Sequence, residues 1–172
     1  MRIEPESVIA TGTVVLRPWC AGDVEALTAI YSDPLSAQYI EVPQPYDAAQ
    51  ATEFVRRSTR SRAAGTTFHY AVTLPGADTV VGSAYLHDRA PNEAATHVSY
   101  LIHPNHRGRG LATAALIGLT EAALSAGFLR ILARIETGNR ASETVAAKAG
   151  FAVLWSNDEE TCWHKTATNA ST

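Results

Sequence analysis

Residues 103–112 read HPNHRGRGLA, and the fifteen that follow, TAALIGLTEAALSAG, contain no proline and almost no charge. The apolar run HVSYLIH (97–103) leads into them. The whole reads as a strand, a glycine-rich basic turn and a helix. A turn of this kind points successive backbone N–H groups into one concavity, and the positive end of the helix dipole adds to them, which favours an anion. Gly108 and Gly110 permit close backbone approach, Ala112 keeps the first helical turn open, and Arg107 and Arg109 are placed to add charge-assisted bonds. Both common nucleotide patterns fail on spacing: no lysine followed by Ser or Thr closes a P-loop, and no third glycine completes a dinucleotide fingerprint.

Working outward, TVVLRPW (13–19) reads as a β-branched strand stopped by Pro18. AGDVEALTAIYSDP carries Val24, Leu27, Ile30 and Tyr31 at helical spacing, and AQYIEVPQPYD (37–47) is a proline-punctuated loop. Asp47 is a candidate cap for a second helix that ends at Gly65. TFHYAVTL and TVVGSAYLHD flank a PGAD turn as a hairpin, and ATHVSYLIH (95–103) follows as a strand. After the central helix come the strand FLRILARIE (128–136), a short helix from Asn139 to Gly150, and two strands, FAVLWSN and TCWHKTA. The order β-α-α-β-β-β-α-β-α-β-β predicts an α/β domain with a mixed, mostly antiparallel twisted sheet of six to seven strands, about four helices and a βαβ crossover at its centre.

The 172 residues fit a single domain spanning 1–172, with its core at about 13–155. A hydrophobic content of 46%, a charged content of 18% and a net charge of −3 describe a globular chain with no field that draws nucleic acid or anionic lipid. The arginines at 56, 57, 60 and 62 read as a solvated helix face. Cys20 and Cys162 are too few for a disulfide scaffold and are not at metal-ligand spacing, so no metal is expected. The N-terminal stretch lacks the apolar centre of a signal peptide, and Leu111–Leu129 is too polar to span a bilayer. A cytoplasmic protein, monomer or homodimer, is the expectation.

The turn also spells R-x-x-G-x-A at Arg107, Gly110 and Ala112. That pattern resembles the acetyl-CoA pyrophosphate loop of the GNAT superfamily of N-acetyltransferases. GSAYLHD, HVSYLIHPNHRGRGLATAAL and GFLRILARIETGNRASETVAAKAGF are similar to that fold's central segments in order and spacing. N-x-x-S at Asn139 and Ser142, K-x-G-F at 148–151 and LRPW at 16–19 resemble the branch that acetylates ribosomal-protein N-termini.

The resemblance implies that acetyl-CoA is the donor and that backbone amides of Arg107, Gly108, Arg109, Gly110, Leu111 and Ala112 hold its pyrophosphate. It places the pantetheine arm beside Tyr100, Leu101 and Ile102, with Asn139, Arg140 and Ser142 also at the cofactor. Main-chain donors there would polarise the thioester carbonyl. Ser142 is the expected proton donor to the departing thiolate, ahead of Tyr100. Asn139 also reads as a helix cap and Ser142 as a local backbone-bonding side chain.

Related sequences often carry Glu where this chain has His97. Imidazole titrates near pH 6.5 and accepts a proton directly or through water, so His97 is the candidate base, with His69, Glu41 or a water chain as alternatives. Strand alternation puts His97, Ser99, Leu101 and His103 on one face, towards either the cleft or a helix. Tyr39, Glu41 and Tyr46 are expected to shape acceptor choice. The acceptor is a primary amine, either a protein N-terminus or a small molecule. At pH 7.5 roughly a third of an α-amine is neutral against about one lysine in a thousand, which favours an α-amine or a low-pKa small amine. The alternative reading is an acyl-CoA-binding module of the same fold without catalysis.

Overall fold

The computed structural model describes residue 4 and residues 7–40, 42–87 and 94–167. Two short strands begin it, β1 (Ile9–Ala10) and β2 (Val15–Pro18), followed by helices α1 (Val24–Tyr31), α2 (Pro34–Ala37) and α3 (Ala48–Ala64). Strands β3 (Phe68–Thr73), β4 (Val80–His87) and β5 (Ala95–Ile102) lead to α4 (Leu111–Ser125). Strand β6 (Arg130–Glu136), helix α5 (Arg140–Lys148) and strands β7 (Ala152–Ser156) and β8 (Glu160–Thr166) complete the chain. All eight strands form one sheet in the order β1-β2-β3-β4-β5-β6-β8-β7. Every neighbouring pair is antiparallel except β5 and β6, joined by α4 in the expected βαβ crossover.

The α/β class and the mostly antiparallel sheet are as read from the sequence, with two elements more. The two-residue β1 and the four-residue α2 are too short to leave a periodic signal. The second of these lies between the expected first helix and the irregular stretch 37–47: Pro34 opens the turn, and the Asp33 carboxylate accepts from the Ser36 amide. Asp47 caps α3 with a reciprocal Gln50 bond, and Gly65 closes it at φ 71°.

Two apolar layers cover the sheet. Leu16, Tyr70, Val72, Leu86, Val98 and Ile102 face α4, where Leu116 and Leu119 are fully buried. On the opposite face, α1 and α3 bring Leu27, Ile30, Tyr31 and Phe54 against Ala71 and Leu101. Cys20 is exposed, Cys162 is buried, and neither is bridged.

Candidate active site

Strands β5 and β6 run together for three residues only, Ala95 with Arg130, Thr96 with Ile131 and His97 with Leu132. Beyond His97 the pairing stops. From there β5 stays hydrogen-bonded to β4, and β6 stays paired with β8 through Glu136. A wedge therefore opens in the sheet from residue 98 onward.

Strand alternation decides which groups face it. The Ala94 carbonyl accepts from Leu129 and Arg130 on the β6 side, whereas the His103 amide donates to Val81 on the β4 side. Even-numbered residues of β5 thus turn their main-chain groups towards the wedge, and Val98 and Tyr100 present an unpaired strand edge. Leu101, expected beside the donor arm, turns its main chain to β4 and its side chain to α1 and α3. Val98, left out of the sequence reading, occupies the edge instead.

The glycine-rich loop lies at the wide end of the wedge. Gly108 and Gly110 adopt φ 75° and 74°, left-handed values that L-residues with side chains resist. An added Cβ would meet nothing within 4 Å at either position, so backbone conformation, not space, requires glycine there. Gly110 is the N-cap of α4 and supplies no side-chain cap. The backbone N–H groups of Gly108 to Ala112 find no acceptor among the described residues.

Arg107 departs from its expected role. Its guanidinium donates to the Asp33 carboxylate at 2.6 Å and to the Ser36 hydroxyl at 2.9 Å, and its Nε donates to the Ile102 carbonyl at 3.2 Å. The side chain braces the loop against α2 and the end of β5, and holds the Asp33 carboxyl below the ordinary range although burial opposes it. A partly buried carboxylate nearby takes the cation that the sequence alone offered to a phosphate. Arg109 is exposed and donates to the Asn105 carbonyl at 3.3 Å.

Helix α5 begins on the other bank. The Asn139 side chain accepts from the Ser142 amide at 3.1 Å, which is the expected cap. Tyr100 reaches across and donates its hydroxyl to the Ser142 carbonyl at 3.0 Å. Burial raises the Tyr100 phenol to about 12, with the Ser142 bond opposing. Its proton is thus strongly held and already engaged, whereas the Ser142 hydroxyl has no partner among the described residues. Arg140 is the exposed first residue of this helix.

His97 points the other way. It stands opposite His87 in register, on the sheet face covered by α1 and α3. There Phe54 meets His69 at 4.9 Å between ring centroids, His69 meets Tyr85 at 5.0 Å, and Tyr85 meets His87 at 4.4 Å. Tyr31 stacks on Tyr46 at 5.2 Å and shares a 3.2 Å hydrogen bond with the Ser83 hydroxyl. Burial, aided by His87, lowers the His69 imidazole to about 4. His87 is lowered too, by burial first and then by His97.

Of the three residues expected to shape acceptor choice, Tyr46 joins this layer with 6% exposure, Tyr39 is 37% exposed, and Glu41 lies outside the described residues. The cluster as a whole escapes a linear reading, because its members come from α1, the segment before α3, α3, β3, β4 and β5. Among the described residues, no group of three His, Cys, Asp or Glu side chains is placed to share a metal ion, and no helix is long and apolar enough to cross a membrane.

Residues 13–152 match the family model of the acetyltransferase (GNAT) domain. No curated protein matches the chain. Among solved structures, Mycobacterium smegmatis RimJ, in complex with CoA-disulfide, superposes with a TM-score of 0.81 at 18% identity, over 97% of this chain and 90% of the other. A ribosomal-protein-S5-alanine acetyltransferase from Vibrio fischeri gives 0.79 at 13% identity, over 96% and 100%. The microcin C7 self-immunity acetyltransferase MccE, in complex with acetyl-CoA and AMP, gives 0.79 at 14%, over 90% and 92%.

Proposed function

The chain belongs to the GNAT acetyltransferase family, and from that premise we propose that it transfers the acetyl group of acetyl-CoA directly to a primary amine within a ternary complex. One observation carries this reading: β5 and β6 part after His97, and the glycine loop follows the far end of the parted β5. An elongated donor then lies against the Val98–Ile102 edge, while an amine enters from the α1/α3 face.

The chain's residues divide the work accordingly. Loop amides from Gly108 to Ala112 bind the pyrophosphate, helped by the dipole of α4. The Val98 and Tyr100 main chain aligns the pantetheine arm, and an amide of that edge stabilises negative charge on the thioester carbonyl oxygen. His97, on the acceptor face, takes the proton that the amine loses as it bonds to the carbonyl carbon. The carbon–sulfur bond then breaks with its electron pair on sulfur, the Ser142 hydroxyl gives its proton to the departing thiolate and regains one from water, and the proton on His97 returns to solvent. Tyr100 positions Ser142 through the 3.0 Å bond to its carbonyl. His69 is a poor alternative base, since a group held near 4 has little proton affinity at neutral pH.

The acceptor is proposed as an α-amine or a low-pKa small amine, because an imidazole base draws more easily on an amine already partly neutral. A free-thiol assay with acetyl-CoA and a panel of peptides and small amines tests the reading. Thiol release with at least one amine, together with thermal stabilisation by CoA, is expected. Stabilisation without turnover on any amine would reduce the function to acyl-CoA binding, and no response to CoA would remove both.

A further inference from the structure

The four arginines of α3 look equivalent in sequence but have different fates. Arg56 and Arg60 both pair with Glu53, at 3.3 and 2.7 Å. Arg62 is 4% exposed, donates to the His69 carbonyl and stacks over the Tyr70 ring at 4.2 Å. Arg57 is exposed, no ion pair is seen for it among the described residues, and its guanidinium stands 5.7 Å from the Phe54 ring centroid. Phe54 in turn contacts Tyr31 at 5.7 Å and His69 at 4.9 Å, so the unpaired cation sits at the rim of the aromatic layer that leads to His97.

Two buried polar atoms of that layer, the Tyr46 hydroxyl and His69 Nδ1, also lack a partner among the described residues. Buried polar atoms are nearly always bonded, so each of these two has room for a partner such as a water, an ion or a polar group of a ligand. Asp47, the acid next to Tyr46, has its carboxylate turned to the Gln50 amide as the cap of α3. A cation without a counter-ion beside unsatisfied donor and acceptor atoms is complementary to an anionic, hydrogen-bonding group.

We infer that Arg57 is a specificity determinant and that the preferred acceptor is a primary amine carrying a side-chain carboxylate set apart from the reacting nitrogen. This rests on the acetyl-transfer reading and adds the substrate class to it. The carboxylate can belong to an acidic residue following a peptide N-terminus or to the side chain of a free acidic amino acid, and the same chemistry recognises either.

The test compares C-terminally amidated peptides with one N-terminal residue and Glu, Gln or Lys at the next three positions, alongside free glutamate and glutamine. In the wild type, KM for the Glu peptides or for glutamate is expected about tenfold below that of the Gln counterpart, the scale of one charge-assisted hydrogen bond. Arg57→Gln should erase the difference by raising only the acidic acceptor's KM, with kcat and the KM for acetyl-CoA unchanged. Arg57→Glu should turn the preference towards Lys, and Arg56→Gln should change nothing. Equal KM values for Glu and Gln acceptors in the wild type, or an equal rise for both in Arg57→Gln, overturn the inference. If no amine is acetylated, the transfer reading fails on its own. Calorimetric titration of the same acceptors into CoA-saturated protein then decides the specificity: Arg57-dependent binding of the acidic acceptor retains it, and its absence ends it.

Discussion

The two faces of the sheet at the wedge are built from different material. On the α4/α5 face the proposed donor site consists of backbone: loop amides, an unpaired strand edge and a helix N-terminus, shaped by two left-handed glycines. On the α1/α3 face the proposed acceptor site consists of side chains, with rings of Phe54, His69, Tyr85 and His87 packed in series and His97 in register beside them. A backbone-built site tolerates changes of neighbouring side chains but fails when its dihedral angles are denied. A side-chain site changes its selectivity with each substitution while the main chain stays put. The donor can therefore be common to a family while the acceptor varies.

The largest expected effect tests the donor side of this contrast. Valine at 110 meets no steric obstacle, since a Cβ there has nothing within 4 Å, but φ 74° is denied to a β-branched residue. Gly110→Val should lose CoA affinity about a hundredfold, the equivalent of two amide bonds to a charged group, with a circular dichroism spectrum like that of the wild type. Gly110→Asn, which tolerates the left-handed region, should lose far less. If valine leaves affinity intact, backbone shape is not what binds the donor.

The acceptor side breaks differently. His97→Ala should leave CoA binding unchanged and lower kcat by about a hundredfold, the ordinary contribution of a positioned base, and it should remove the acidic limb of the pH–rate profile. An unaltered profile would assign the proton to another group.

The same contrast explains what was readable in the chain. Arg107, Gly110 and Ala112 lie within six residues, and a strand-turn-helix with fixed glycines leaves its mark locally, so the loop, the crossover and the Asn139 cap were all legible. The departures came where tertiary partners decide. The Arg107 side chain goes to Asp33, some seventy residues distant, rather than outward. Leu101 and Val98 exchange places because main-chain direction depends on which neighbour strand departs. Of the four arginines on α3, only the fold distinguishes Arg57. His97 could not be assigned a face until its register with His87 was known.

Between the two faces lies Ser142, where the expected effect is smaller and the substitution unusually clean. Asn139 bonds to the Ser142 amide and Tyr100 to its carbonyl, and both survive replacement by alanine. Ser142→Ala therefore removes the hydroxyl alone. It should lower kcat about tenfold, below the full value of a general acid because water can also protonate a thiolate, with CoA affinity held. An unchanged kcat would remove this hydroxyl from the reaction.

The smallest effect concerns stability and isolates the acceptor layer without touching the reaction. Burial holds His69 near 4, below the 6.5 of an exposed imidazole. Between those values the unfolded chain binds a proton that the native protein refuses, so stability is complete above pH 6.5 and is lost as pH falls towards 4. The shift is worth about 2 kcal/mol after allowance for partial exposure, or roughly 4–8 °C in Tm for a chain of this length. His87 is displaced in the same direction and adds to the loss. The Asp23–Arg17 and Asp33–Arg107 pairs lose their contribution only at lower pH, because both carboxyls are held below 3.8. Melting curves from pH 7 to 4.5 should fall for the wild type and fall less for His69→Phe, whose ring keeps the contacts to Phe54 and Tyr85. Were the two slopes equal, desolvation of His69 would not be the source, and the acceptor layer would be more open to water than its ring packing implies.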